Sequence, residues 1–189
     1  MARIPLDTAP RGLIARAAAW YSRRRYGTLI EPLQALSHHP GVLWAEARLE
    51  LSVARRWRKL DPTLQCLAVM AASVRIGCAW CVDFGYWEAH HKGVDPVKID
   101  HVPAWRDSDV YTDLERLVLE YAEAVTDTPP NVTDEMVAGL RAHLTDAQLV
   151  ELTALVALEN LRSRPNAALG LQAQGFRAMC ELEQAAAAR

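Results

Sequence analysis

The residues best suited to chemistry sit together between Gly77 and Gly93: Gly-Cys-Ala-Trp-Cys-Val-Asp-Phe-Gly-Tyr-Trp-Glu-Ala-His-His-Lys-Gly. Two residues separate Cys78 from Cys81, and His90 and His91 follow within about three helical turns. On a helix this spacing sets two sulfurs one turn apart on one face, close enough to cycle between dithiol and disulfide. A first cysteine at the helix start also meets the partial positive charge there, which favours thiolate, the form that attacks peroxides, disulfides and metals. The plain alternative is a pair of small residues filling a core. The spacing, beside aromatics and histidines, favours redox chemistry. Zinc held by Cys78, Cys81 and one of His90 or His91 is a further alternative, although four well-placed ligands are not evident.

Helical periodicity dominates the elements that must position these side chains, and no convincing two-residue alternation occurs. Thr8, with Pro10 in the first turn, reads as a cap for a helix running toward Arg25. A short piece starts at Glu31-Pro32, the histidines at 38 and 39 read as a turn before Pro40, and Gly41 to Arg56 reads as a helix striped with Trp44, Ala47, Leu51 and Ala54. Asp61-Pro62 joins an N-cap acceptor to proline at the first helical position, opening an apolar helix to Ile76. Gly77 breaks that pattern, and the cysteine helix follows and stops at Gly93. Val94 to Trp105 reads as connection with at most one helical turn. Thr112-Asp-Leu-Glu115 and Thr145-Asp-Ala-Gln148 are capping boxes for two further helices, with Thr133 capping a third between them. Pro165 reads as an interruption, with a last helix from about Asn166 to Glu183. The expected fold is all-α with about eight helices: a helical extension over 1–59 packed on a core domain over 60–183, and a frayed tail over 184–189.

Composition narrows the function classes. The chain has 189 residues, 51% hydrophobic and 23% charged, with a net charge of −2. No global electrostatic pull toward nucleic acid or acidic membranes follows from such a balance. Four cysteines in this length are no disulfide framework. Cys66 and Cys180 lie singly in apolar helical patterns. Residues Met1 to Pro10 lack the apolar stretch of a secretory signal, and Leu67 to Val74, the longest apolar run, is too short to span a bilayer. The sequence therefore reads as cytoplasmic, with no nucleic-acid or membrane partner.

The string from Leu60-Asp61-Pro62-Thr63-Leu64 through Gly77-Cys78-Ala79-Trp80-Cys81-Val82-Asp83 resembles the carboxymuconolactone decarboxylase superfamily, and more closely its alkyl hydroperoxidase D (AhpD)-like branch, which carries the C-x-x-C. Similar strings continue at Glu115-Arg116 to Tyr121-Ala122, Thr145-Asp146 to Leu152, and Asn160 to Gly170. The resemblance implies an AhpD-like helical bundle, a homo-oligomer (dimer, trimer or hexamer), and thiol-dependent chemistry on a small peroxide or disulfide without organic cofactor or metal. It implies Cys81 as the attacking sulfur and Cys78 as the one that closes the disulfide. A thiol or dithiol partner would then reduce the pair. Lactone decarboxylation is less expected, because the decarboxylase branch proper lacks the cysteine pair.

Two departures weaken the inheritance. The family has a glutamate twelve residues before the first cysteine, where this chain has Cys66, and a histidine four residues after the second, where it has Gly85. Those side chains form the family's proton relay. Candidate supporting residues here are Cys66, Asp83, Glu88, His90 and His91, with Tyr86 or an acid from a neighbouring helix as further options. Glu88 lies two turns beyond Cys81 on a similar face, a rise of about 10 Å. For Glu88, His90 and His91 a solvated or interface role is the simpler expectation, and for Cys66 a small buried residue replacing an acid. Trp80 and Trp87 could wall an apolar pocket or lie in the core. The competing class is a non-catalytic oligomeric binding protein that kept the fold.

Overall fold

The computed structural model describes residues 1–6 and 12–187, and among these it contains ten α-helices, one 3-10 helix and no strand. In chain order they are α1 (Leu13–Tyr26), α2 (Glu31–Leu36), α3 (Pro40–Arg56), α4 (Pro62–Ile76), α5 (Ala79–His91), α6 (Pro96–Asp100), the 3-10 helix η1 (Val102–Asp107), α7 (Asp113–Thr126), α8 (Asp134–Arg141), α9 (Asp146–Ala168) and α10 (Phe176–Ala187).

Helix α4 is the centre of the fold, packed against α5, α7 and α9. Its start follows from the sequence: Asp61 Oδ1 accepts from the Thr63 N–H at 2.8 Å, and Pro62 occupies the first turn, where its missing N–H costs nothing. Ala68, Ala71 and Ala72 are buried almost completely, and their small side chains let the neighbouring helices approach closely. Gly77 ends α4 at φ 78°, a left-handed conformation that glycine adopts without steric penalty. Both capping boxes form as read, Thr112 with Glu115 on α7 and Thr145 with Gln148 on α9. They fix the starts of the two long helices that flank α4.

The N-terminal helices form a smaller apolar cluster around Ala15, Leu33 and Leu43. Of the seventeen residues of α3, only Leu43 is buried. Before α1, Arg3 lies against the end of α9, where its N–H donates to the Leu169 carbonyl at 2.7 Å.

The expected Thr8 and Pro10 cap lies outside the described residues; α1 is described from Leu13. The structure departs from the sequence reading in three places. The stretch Val94 to Trp105, read as connection with one short helical turn, carries α6 and most of η1; Asp95 Oδ1 caps the Val97 N–H at 2.9 Å, so Pro96 serves as a helix starter. Pro165 does not end α9, which continues to Ala168. Proline removes one N–H from the ladder, and the turn is held instead by side-chain bonds from Arg164 to the Thr126 carbonyl (2.7 Å) and from Asn166 to Cys81. The last helix therefore starts at Phe176 rather than Asn166, and it is described as far as Ala187. The count exceeds eight because of the short elements.

Candidate functional site

The turn at Gly77 delivers Cys78 to the N-cap of α5 and Cys81 to its first turn. The Gly77 and Cys78 N–H groups both donate to the Ser73 carbonyl, at 3.0 and 3.1 Å, so the end of α4 holds the start of α5. Cys78 Sγ accepts the Cys81 N–H at 3.2 Å, using its sulfur where a serine or aspartate oxygen usually caps. The two sulfurs lie at disulfide-bonding distance, with Cα atoms 5.3 Å apart. Cys78 is fully buried, whereas Cys81 keeps 6% of its surface. Asn166 on α9 donates from Nδ2 to Cys81 Sγ at 3.4 Å. A helix N-terminus and an amide donor therefore converge on two sulfurs, an arrangement that stabilises negative charge on either.

The other candidates have different neighbours. Asp83 accepts the N–H groups of Gln174 (2.8 Å), Phe176 (3.1 Å) and Arg177 (2.9 Å), so its carboxylate anchors the start of α10. Glu88 pairs with Lys92 at 2.9 Å. His90 lies 3.8 Å from a Glu183 carboxylate oxygen. His91 bonds the Trp87 carbonyl through Nδ1 at 2.8 Å, with its ring 3.9 Å from the indole. Tyr86 is buried under the Arg177 guanidinium, 4.8 Å from the ring centre. No group of three His, Cys, Asp or Glu side chains gathers as a metal-ligand set among the described residues.

Neither relay position carries a charged side chain, although Lys92, Glu88 and Asp61 act on Cys66. Cys66 is buried, and burial pushes its thiol up to about 12, so it stays protonated at neutral pH. A Cβ added at Gly85 would stand 3.2 Å from the Met70 Cε, so the methionine covers this side of α5. Trp80 and Trp87 belong to the core. Trp80 stacks on Phe84 (4.7 Å), Phe84 on Trp87 (5.5 Å), and Phe84 meets the edge of Phe176 of α10 (5.2 Å). This aromatic layer joins α5 to α10, and Trp80 Nε1 donates to Gln174 Oε1 at 2.8 Å.

Sequence reasoning assigned no role to the polar side chains of α9 behind the pair. Glu159, Ser163 and Asn166 are buried and spaced by four and three residues, hence on one face. Polar residues recurring on a face otherwise formed by Leu152, Leu155 and Val156 were the available signal.

The family model of the carboxymuconolactone decarboxylase family matches residues 40–124, from α3 nearly to the end of α7. YnjA, an uncharacterised protein of Escherichia coli, is 36% identical over 172 residues, covering 91% of this chain and 93% of YnjA. A crystal structure of a protein of unknown function from Agrobacterium tumefaciens, a candidate AhpD antioxidant-defence protein, is 30% identical with a TM-score of 0.68, covering 73% of this chain and 94% of that one. A peroxidase-related protein of Ralstonia eutropha with an alkylhydroperoxidase AhpD core shares the fold at 20% identity and a TM-score of 0.84, covering 95% of this chain and 96% of its own. The chain belongs to the carboxymuconolactone decarboxylase and AhpD-like superfamily.

Proposed function

We propose that the protein is a thiol-dependent oxidoreductase that reduces small organic hydroperoxides or disulfides, with Cys81 as the attacking sulfur and Cys78 as the resolving one. The observation that carries this reading is the pair itself: two sulfurs at disulfide distance at the N-terminus of α5. The greater exposure of Cys81 and its Asn166 donor support its role as the nucleophile. With a hydroperoxide, the Cys81 thiolate attacks the outer peroxide oxygen; the S–O bond forms as the O–O bond breaks, and the alkoxide leaves as alcohol after taking a proton. The Cys78 thiol then attacks the sulfenic sulfur, forming the disulfide and releasing water. An external dithiol restores the pair by two exchange steps and is itself oxidised. This cycle uses no organic cofactor or metal, and it suits a reducing compartment such as the cytoplasm. No helix among the described residues is long and apolar enough to cross a membrane.

We also propose that the working form is a homo-oligomer joined through the 1–59 extension. Helix α3 gains little burial within the subunit, and Trp44 and Leu51 are about half exposed, as are Trp20 and Tyr21 on α1. Helices depend on tertiary packing for most of their stability, so an uncovered helix of this length calls for a partner surface.

A second reading, a binding protein that kept the fold without turnover, draws on Cys66 and Gly85 at the relay positions and on the burial of both sulfurs. Turnover separates the two. Steady consumption of cumene hydroperoxide in the presence of dithiothreitol, abolished in Cys81→Ser, supports the oxidoreductase; native protein no faster than Cys81→Ser overturns it.

A further inference from the structure

We propose that Glu159 is a positioning residue for the Cys78–Cys81 pair: its buried carboxylate braces the turn that holds Cys78 and opposes thiolate formation at the pair. The geometry starts at Ser73. Its carbonyl receives the Cys78 N–H, and its hydroxyl lies 2.9 Å from Glu159 Oε1 and 2.9 Å from the Val69 carbonyl. A hydroxyl has one proton to donate, so the carboxylate competes with α4's own backbone for the residue that anchors Cys78. Ser163 donates to the same Oε1 at 2.5 Å. One turn further along this face, Asn166 reaches Cys81. Glu159, at 3% exposure, thus reaches one attachment of the pair through Ser73 and lies two turns before the other on the same face of α9.

Its charge is poorly compensated. Arg162 Nη1 is 3.4 Å from Oε2, but the Nε and Nη2 of the same guanidinium bind Glu50 at 2.7 and 2.5 Å. The other charged groups that act on Arg162 are Glu46 on α3 and Glu88 and Lys92 on α5. Helix α7 meets this stretch of α9 through uncharged Thr126, bonded to Asn160. Burial raises the Glu159 pKa despite Arg162 and both serines. A disulfide carries no charge, whereas a thiolate adds a second buried negative charge, separated from the first by Ser73. Ionised Glu159 therefore holds the thiols protonated, and an ionised thiol drives a proton onto Glu159.

The inference takes from the proposed function only that the pair is the reactive centre. Its test reads the thiols directly, so failure to reduce peroxide would overturn that function and leave this inference standing. In reduced protein, the pH dependence of iodoacetamide alkylation is followed at each cysteine by mass spectrometry. Glu159→Gln keeps an oxygen for both serine hydroxyls and removes the charge; the thiol midpoint should fall by about one pH unit, giving roughly tenfold more thiolate at neutral pH. Ser163→Ala removes only one of the bonds that favour the ionised carboxylate and should lower the midpoint by less than Glu159→Gln. A folded Glu159→Gln with an unchanged or higher midpoint overturns the proposal, as does an equal fall in Ser163→Ala. If Glu159→Gln does not fold, the native protein decides: the infrared band of the protonated buried carboxyl should persist to higher pH in the reduced form than in the oxidised form, and equal persistence overturns the proposal.

Discussion

Restoring an acid and a base at the two relay positions should accelerate the chemistry of the pair. The perturbation is the double substitution Cys66→Glu with Gly85→His. At Gly85 the new Cβ would meet Met70 Cε at 3.2 Å and Sδ at 3.7 Å, the flexible end of a side chain that can swing aside. Replacing glycine by histidine in a helix interior also regains about 0.3 kcal/mol, less than alanine would. At position 66, burial pushes the native thiol up to about 12, with Lys92 opposing and Glu88 adding to the rise. The same desolvation lifts a carboxyl toward neutrality, where an acid exchanges protons most effectively. General acid–base groups contribute about 10²–10⁴ in rate, and the lower end, about 100-fold, corresponds to about 2.7 kcal/mol of barrier. Stopped-flow peroxide consumption with excess dithiol should show that gain, and thiol alkylation should titrate at lower pH. Circular dichroism and light scattering first establish that the variant folds and assembles like the native protein. A well-folded double variant that is no faster, with an unchanged thiol titration, would refute the reasoning.

Asn166→Ala removes the donor to Cys81; hydrogen bonds to charged groups contribute about 1.5–3 kcal/mol, so Cys81 alkylation at neutral pH should slow about tenfold or more while Cys180 is unaffected. Asp83→Ala strips three N–H partners from the start of α10 and should cost about 3–5 kcal/mol, lowering the thermal midpoint by about 10 °C or more in differential scanning calorimetry. Trp44→Glu with Leu51→Glu should lower the oligomeric state measured by light scattering while leaving the helical signal intact. Burial raises the pKa of Glu159, and burial with the nearby Glu50 raises that of Glu46. An acid with a raised folded pKa contributes stability below its unfolded pKa and loses it as pH rises through the folded value. Unfolding free energy from urea titrations should therefore fall above pH 4.5, and Glu159→Gln should flatten that fall.

Much of the fold was legible because its signals are local. Asp61-Pro62, Gly77 and the two capping boxes act within four residues of themselves, and each forms where the sequence puts it. Pro165 misled because its local rule, the loss of one N–H, was outweighed by distant partners of Arg164 and Asn166 that no short window contains. The cysteine pair was legible for the same local reason, since its spacing alone brings the sulfurs together. The surroundings of the pair were not. Asp83 looks like an acid beside a nucleophile, yet its partners lie more than ninety residues away at the start of α10. Glu159 and Asn166 approach the pair from α9, and only the packing of α9 on α4 and α5 assigns them a place there. His90 and His91, in the last turn of the motif's own helix, turn toward Glu183 and Trp87 because successive helical residues point about 100° apart.

The most direct test of the account is the oxidation stoichiometry of the pair. Fully reduced protein is treated with one equivalent of cumene hydroperoxide, quenched by alkylation and mapped by peptide mass spectrometry. The account predicts one Cys78–Cys81 link per chain, with the loss of two hydrogens, one cumyl alcohol released per link, and Cys66 and Cys180 recovered as alkylated thiols. Cys78→Ser should stop at sulfenic acid on Cys81. No oxidation, a principal link through Cys66 or Cys180, or sulfenic acid forming on Cys78 in the Cys81→Ser protein at the native rate would contradict it.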